Sequence, residues 1–316
     1  MLQDIRRGDD PQIAAVLQSL VRLDADVILL TGIDYDYGQS ALTGLAGLLE
    51  KAGASYPYAV ALRPNTGIAT GLDLDGNGRL GEPRDAMAFG LFAGQAGMAV
   101  LSRRPILTDQ IRDFSGLKWT DLPQANLPTD MTPAAREVQL LSTSGHYEIP
   151  IQLASGQSLR LLAWYATPPV FDGPEDRNGR RNHDETAFWL RLLEGGLSFP
   201  APAAPFVILG QSNLDPNDGE GRRDAILDLL SHPALQDPKP RGTSLRQDQG
   251  QSGEASLDTA LYQGGIGGLR VEVILPSADL KVSASGILWP PDGDPVAVTL
   301  TTASRHRPLW VDLTLP

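Results

Sequence analysis

The chain has 316 residues, with 26 Lys and Arg against 38 Asp and Glu, which gives a formal net charge of −12 at pH 7. A negative field of this size repels polyanions, so we do not expect a nucleic-acid partner. The absence of cysteine excludes disulfides, a thiolate zinc site and a thiol nucleophile. Hydrophobic residues make up 41% of the sequence, as in a globular protein, and no apolar run reaches the length of a membrane span.

Helical and extended patterns alternate along the chain, which predicts an α/β fold. Asp10 and Pro11 begin a helix, because proline at the first helical position loses no hydrogen bond. The predicted strands cover residues 26–30, 98–102, 158–165, 206–210, 269–275, 282–288 and 309–315, and further helices cover residues 40–52 and 223–230. We expect one domain over residues 1–316, with a mobile loop near residues 237–254, where apolar periodicity is lost.

Residues 206–213 carry the clearest chemical signal. Four apolar residues end at Gly210, which predicts a strand buried on both faces. Gln211, Ser212 and Asn213 follow at its carboxyl end, where α/β sheets usually hold their ligands. Taken alone, the segment is better explained as a core strand followed by a polar turn.

The segment resembles the Gly-Asp-x-Asn motif of the endonuclease/exonuclease/phosphatase superfamily of metal-dependent phosphoester hydrolases. Other segments resemble further motifs of that family in the same order, namely residues 26–36, 97–106, 269–277 and 304–313. The resemblance spans nearly the whole chain. It implies two packed mixed β-sheets flanked by helices, a four-layer α/β/β/α sandwich.

The resemblance also implies an altered active site. The metal-binding glutamate of the family corresponds to Gly32, and the aspartate of Gly-Asp-x-Asn corresponds to Gln211, an amide that cannot take up a proton at neutral pH. The aspartate before the closing histidine corresponds to Arg305, so we expect His306 to lack the acid that would orient it. His306 is equally well explained as a structural residue at the start of a strand.

Three further positions complete the comparison with the family motifs. Asn213 is retained, Glu272 replaces an aspartate, and Tyr165 stands where a histidine is usual. The candidate catalytic residues are therefore Gln211, Asn213, Glu272 and His306. Since losing a base or a metal ligand costs several orders of magnitude in rate, the resemblance implies impaired catalysis.

Several functions are compatible with these substitutions. The first is binding of a small anionic or phosphorylated ligand by a monomeric protein, with Arg305, Arg177, Asn182 and Tyr165 as candidate ligand-binding residues. The second is an active phosphatase or nuclease that holds displaced Mg²⁺ or Mn²⁺ through rearranged ligands, drawn from Asp34, Asp36, Asn213, Glu272 and His306. A purely structural or interaction role is also open.

The polar run at residues 177–185 has a simpler explanation than ligand binding. It is better explained as a salt-bridged loop in which Asp184 caps the following helix. The resemblance suggests an exported bacterial protein, although the start of the given chain shows no signal-peptide pattern.

Residues 73–79 carry a second chemical signal. Asp73, Asp75, Asn77 and the carbonyl of Arg79 have the spacing of the first half of an EF-hand-type calcium loop. Arg84 stands where the loop expects its bidentate acid. A turn stabilised by local hydrogen bonds is the alternative, and structural Ca²⁺ is the favoured interpretation.

Overall fold

The computed structural model describes residues 1–244 and 246–315. The α-helices are α1 (Leu2–Arg7), α2 (Pro11–Leu23), α3 (Ser40–Lys51), α4 (Pro133–Val138), α5 (Arg177–Leu193), α6 (Asp224–Ser231) and α7 (Pro295–Ala303). The strands are β1 (Val27–Ile33), β2 (Tyr58–Leu62), β3 (Gly97–Ser102), β4 (Arg112–Asp113), β5 (His146–Gln152), β6 (Ser158–Tyr165), β7 (Phe206–Gln211), β8 (Ala260–Tyr262), β9 (Gly267–Leu269), β10 (Glu272–Pro276), β11 (Lys281–Ile287) and β12 (Leu309–Thr314).

Two sheets form the centre of the molecule. The smaller has the strand order β1-β3-β2 and is antiparallel throughout. The larger has the order β10-β7-β6-β5-β4, in which β6 and β7 run parallel and the other neighbours antiparallel. A parallel pair needs a long crossover connection, and here α5 supplies it between β6 and β7.

Apolar side chains fill three successive interfaces. Val100 of the smaller sheet packs with Ile149 of the larger sheet between the two β layers. Leu45 of α3 covers the outer face of the smaller sheet, and Trp189 of α5 covers the outer face of the larger one. This layering confirms the predicted α/β fold of packed sheets flanked by helices. No helix among the described residues is both long and apolar enough to pass through a bilayer.

Most elements predicted from the sequence are confirmed, and two predictions need correction. The first concerns residues 269–275, predicted as one strand, which are divided between β9 and β10. The break follows from side chains that capture the intervening backbone, since Asp215 accepts the N–H of Arg270 at 2.5 Å and Thr259 accepts that of Val271 at 2.9 Å.

The second correction concerns the run at residues 177–185, predicted as a loop capped by Asp184. Helix α5 already begins at Arg177, and Asp184 lies inside it as a buried residue. The carboxylate of Asp184 accepts hydrogen bonds from the Trp119 indole at 2.6 Å and the Asn126 backbone at 2.6 Å. Asp184 therefore fastens α5 to the loop that contains Trp119 and Asn126.

The segment at residues 237–254 contains no helix or strand in its described parts, 237–244 and 246–254. Two ion pairs lie within this segment, Arg241–Glu254 and Arg246–Asp248, and Asp237 pairs with Arg270, which lies between β9 and β10. The mobility of this loop stays a prediction.

Candidate functional site

Polar residues gather where β6, β7 and β10 lie side by side. The strand register places Gln211 of β7 opposite both Tyr165 of β6 and Glu272 of β10. Gln211 and Glu272 are buried, and Tyr165 is half-buried. Three of the candidate residues are thus neighbours across the larger sheet. We call Tyr165, Gln211 and Glu272, together with the side chains that contact them, the strand-end site.

A chain of hydrogen bonds crosses the strand-end site from one sheet to the other. The hydroxyl of Thr31 on β1 donates to Oε1 of Gln211 at 3.1 Å. Nε2 of Gln211 donates to Oδ1 of Asn213 at 2.8 Å, and Nδ2 of Asn213 donates to the Ala166 carbonyl at 2.7 Å. Every member of this chain is neutral, so it carries no charge with which to hold a cation.

Thr31, rather than Gly32, supplies the β1 side chain at this site. Gly32 has a φ of 77° and lies where the pairing of β1 with β3 shifts register. A Cβ built on Gly32 would meet no atom within 4 Å, so its side chain would project into open space. The family resemblance points to Gly32, but the contact with Gln211 is made one residue earlier.

His306 has an acidic partner, which corrects the expectation that Arg305 left it without one. Nδ1 of His306 lies 2.5 Å from Oε1 of Glu272. Glu272 is 8% exposed, so this bond forms largely out of water and fixes the orientation of the imidazole. Oε2 of Glu272 is buried and has no hydrogen-bond partner among the described residues.

Arg305 and Tyr262 complete the site, and the pairing of β8 with the chain around Arg305 brings them together. The backbone around Arg305 pairs with β8, since the Leu261 N–H donates to the Arg305 carbonyl at 2.9 Å. The Arg305 guanidinium lies 5.7 Å from the centroid of the Tyr262 ring, and the same ring meets His306 edge-on at 6.1 Å. Tyr262 is a residue that the motif comparison missed.

Both tyrosines keep their phenolic protons at neutral pH. Burial raises the pKa of Tyr165 and of Tyr262, and the negative charge of Glu272 raises both further, while Arg305 opposes the shift. The two hydroxyls are therefore available as hydrogen-bond donors rather than as anions.

Two candidate ligand-binding residues are engaged inside the fold. Arg177 donates to the side chain of Gln139 at 2.6 Å and to the Leu74 carbonyl at 3.3 Å. Asn182 is fully buried and donates to the carbonyls of Thr167 and Ser212 at 2.6 and 2.7 Å. These contacts tie α5 to neighbouring loops and use both side chains for structure.

Two acids of the rearranged metal set are likewise engaged. The carboxylate of Asp36 accepts the backbone N–H groups of Ser40 and Ala41 at 2.8 and 3.0 Å, at the start of α3. The bond from Ala41 is the largest of the effects that lower the pKa of Asp36. Oδ1 of Asp34 accepts the Ala96 N–H at 3.3 Å. Asp36 therefore caps a helix.

In the described part of the chain, the strand-end site offers a hard divalent cation a single carboxylate, Glu272. Mg²⁺ is usually held by one or two carboxylates together with water and substrate oxygens. Among the described residues at this edge the carboxylate is Glu272, which is already bonded to His306, and Arg305 adds a positive charge. Thr31, Gln211 and Asn213 are bonded to one another.

Carboxylates converge instead in the loop after β2. Oxygen atoms of Asp73, Asp75 and Asp85 all lie within 4.8 Å of one another, so this group could hold a metal ion. Asp73 accepts the backbone N–H groups of Gly76 and Gly78, both at 2.7 Å, and the second of these bonds is the main cause of its lowered pKa. We call Asp73, Asp75 and Asp85 the acidic triad.

The acidic triad differs from the set suggested by sequence spacing. Asn77 and Arg79 stay within the loop, where Oδ1 of Asn77 accepts the Arg79 N–H at 2.8 Å. Asp85 is 2% exposed and also binds the Leu74 N–H at 2.9 Å. Asp85 directly follows Arg84, the position at which an EF-hand-type loop has its bidentate acid, and this proximity could have identified it.

Paired β-sheets between helical layers, with a histidine–carboxylate pair at the strand ends, define the phosphoesterase class of α/β sandwich. The model of the endonuclease/exonuclease/phosphatase family matches residues 4–306. The chain belongs to this family.

Solved structures confirm the fold at low sequence identity. A family member from Beutenbergia cavernae is 15% identical with a TM-score of 0.56, and the match covers 97% of this chain and 66% of that one. A family protein from Leptotrichia buccalis is 14% identical with a TM-score of 0.52, covering 96% and 93%. A 3′ phosphatase from Neisseria, bound to a product DNA hairpin, is 17% identical with a TM-score of 0.51, covering 95% and 93%. No curated protein matches the sequence significantly.

Proposed function

We propose that this chain is a catalytically impaired member of its family that binds a small anionic or phosphorylated ligand at Arg305 and His306. The observation that carries the proposal is the charge pattern of the strand-end site. Arg305 supplies a cationic donor and His306, oriented by Glu272, supplies a ring nitrogen, whereas Thr31 and Gln211 supply no charge to hold a metal.

The donors of both residues support binding of an anion. Arg305 is exposed, and its guanidinium has no acidic partner among residues 1–244 and 246–315. His306 uses Nδ1 for Glu272, which leaves Nε2 for a ligand. A guanidinium fork and a neighbouring imidazole match the oxygens of phosphate, and such charge-assisted bonds are about twice as strong as neutral ones.

The same residues support little hydrolysis. Hydrolysis of a phosphoester needs a positive centre on the phosphoryl oxygens and a base that orients the attacking water. Gln211 replaces the base with an amide that is already bonded to Thr31 and Asn213. Glu272 is the remaining carboxylate, and its Oε1 is already bonded to His306.

Calorimetry with inorganic phosphate at fixed ionic strength tests the binding proposal. We expect measurable binding to the wild type, and Arg305→Ala should weaken it by about tenfold, as expected for a hydrogen bond to a charged group. Arg104→Ala is the matched control. Arg104 is also exposed, and it follows the end of β3 that is farther from Thr31 of the strand-end site. Absence of binding, or equal losses in the two variants, would contradict the proposal.

The His306–Glu272 pair favours one alternative, an active metal-dependent phosphoesterase with rearranged ligands. Under that alternative, Mg²⁺ or Mn²⁺ would be the cofactor, and the wild type would hydrolyse phosphomonoesters rapidly. Assays with each ion, with and without His306→Ala, distinguish the two functions.

The acidic triad supports a separate proposal of structural Ca²⁺. Three carboxylates within 4.8 Å suit a hard cation that prefers oxygen ligands. The Asn77 amide and the Arg79 carbonyl would add neutral oxygens after a small rearrangement of the loop. With few charged ligands we expect affinity near the millimolar end of known Ca²⁺ sites. This ion would stabilise the loop and take no part in chemistry.

A further inference from the structure

Tyr262 lies outside the segments that resemble the family, yet it touches both donors of the anion site. Its strand β8 pairs with the chain around His306, through a bridge from Ala260 to His306 and a bond from Arg307 N–H to the Thr259 carbonyl at 2.7 Å. The hairpin that carries Tyr262 is thus built onto the segment that carries Arg305 and His306.

We propose that Tyr262 positions Arg305, so that Arg305 and His306 act as a two-point clamp on a phosphate-type oxyanion. The inference rests on the proposed function and deepens it, because it names the residue that makes the clamp and the ligand group that the clamp selects.

A cation–π contact can hold Arg305 without occupying the N–H groups that a ligand needs. An exposed arginine has many rotamers, and fixing it for a ligand costs conformational entropy. A salt bridge would fix the side chain but would neutralise its charge and occupy its N–H groups. The Arg305 guanidinium carbon lies over the Tyr262 ring, 5.7 Å from its centroid, and this cation–π contact uses none of the N–H donors.

The second contact of the ring places the other half of the clamp. Tyr262 meets the His306 imidazole edge-on, with an interplanar angle of 86° and centroids 6.1 Å apart. Glu272 holds Nδ1 of the same imidazole, so Nε2 points away from the acid. In the proposed clamp the two donors beside this ring bind two oxygens of one tetrahedral anion, which would favour phosphate over a spherical ion such as chloride.

The ring, and not its hydroxyl, performs this role, since both contacts are made by the aromatic system. Tyr262→Phe should therefore bind inorganic phosphate as the wild type does. Tyr262→Leu should weaken binding by about fivefold, the loss expected for an exposed cation–π contact. Tyr262→Met, also long and non-aromatic, should behave like Tyr262→Leu and replaces it if that variant does not fold.

A double-mutant cycle separates positioning from a general structural effect. In an Arg305→Ala background, Tyr262→Leu should cause little further loss, because the ring then has no guanidinium to hold. Tyr58→Leu is the control. Tyr58 is an exposed tyrosine that pairs with Ser102, at the end of the smaller sheet that is farther from Thr31.

The measurement is calorimetry with inorganic phosphate at constant ionic strength, together with melting temperatures of all variants. Wild-type-like binding by Tyr262→Leu would overturn the inference while leaving the anion site standing. Equal losses from Tyr262→Phe and Tyr262→Leu, or an undiminished loss in the Arg305→Ala background, would also overturn it. Failure of the wild type to bind phosphate would instead refute the proposed function and this inference with it.

Discussion

Two regions of this molecule collect oxygen atoms, and they differ in charge. At the strand-end site the oxygens belong mainly to neutral groups such as Thr31 and Gln211, and the acid Glu272 is bonded to His306. In the acidic triad three carboxylates lie within 4.8 Å of one another. The first region is where the family resemblance implies a metal, and the second is where the residues suit one. The fold therefore does not decide what a region binds, and the side chains do.

The largest expected effect comes from adding carboxylates to the strand-end site, so that its charge becomes like that of the acidic triad. A variant that combines Thr31→Glu, Gln211→Asp and Arg305→Asp would supply a metal ligand and a base beside the Glu272–His306 pair. We expect Mn²⁺-dependent hydrolysis of p-nitrophenyl phosphate to rise by about 100-fold or more over the wild type.

Two controls test whether the gain arises at this site. Adding His306→Ala should abolish it. Replacing Thr31→Glu by Gly32→Glu should give a smaller gain, because a non-glycine residue at a φ of 77° is strained by about 1 kcal/mol and its side chain does not face Gln211. Robust hydrolysis by the wild type would show that the substitutions at this site are not fatal.

A buried acid behind the strand-end site gives the next largest effect. Glu185 accepts the N–H of Thr167 at 2.7 Å, and burial raises its pKa to about 7, whereas backbone hydrogen bonds lower the pKa of Asp73 in the triad. The folded state thus holds a proton that the unfolded state releases near pH 4.5. The contribution of Glu185 to stability is complete below that pH and is lost as pH rises through about 7.

We therefore expect Glu185→Gln to become more stable relative to the wild type, by about 2 kcal/mol, between pH 5 and pH 8. Denaturant titrations at several pH values measure this difference. Glu194→Gln, at the residue that follows the same helix, is the control, because Glu194 is exposed and should leave the pH dependence unchanged. A constant difference across the range would show that Glu185 stays ionised despite its burial.

A smaller effect is expected from Ca²⁺ at the acidic triad. With a millimolar dissociation constant, 10 mM Ca²⁺ would stabilise the protein by about 1.4 kcal/mol and raise the melting temperature by about 2 °C. Asp85→Asn should remove that rise, and Asp109→Asn, at an exposed acid elsewhere, should not. Identical melting curves of the wild type in Ca²⁺ and in chelator, with no heat in calorimetry, would contradict the proposal.

The smallest effect tests the neutral hydrogen-bond chain itself. Thr31→Val keeps the shape of the side chain but removes the donor to Gln211. We expect the free energy of unfolding to fall by about 0.5–1 kcal/mol, the usual net value of one hydrogen bond. The loss should be the same with and without Mg²⁺, and a Mg²⁺-dependent loss would indicate that an ion binds beside Thr31.

Local patterns in the sequence predicted the α/β class and most of the elements, and the family resemblance added the packing of two sheets. Asp10 and Pro11 marked the start of α2 because capping depends on adjacent residues, and the Asp10 carboxylate does accept the Gln12 N–H at 2.9 Å. The apolar run at residues 206–210 predicted β7, which the structure pairs with β10.

The parts of the site that were missed depend on residues far apart in sequence. Glu272 and His306 are 34 positions apart, so no local spacing predicted that one orients the other. Tyr262 enters only because β8 pairs with the chain near Arg305. Asp85 was overlooked by one position, since the loop departs from the spacing of an EF-hand.

The bond between Thr31 and Gln211 joins residues 180 positions apart, on different sheets. A metal at such a junction can be stripped by a chelator or lost when the surrounding concentration falls. An amide that belongs to the polypeptide cannot be removed in this way. The geometry of the strand ends is therefore maintained by side chains of the protein itself. We expect the protein to keep this surface in solutions that lack divalent ions.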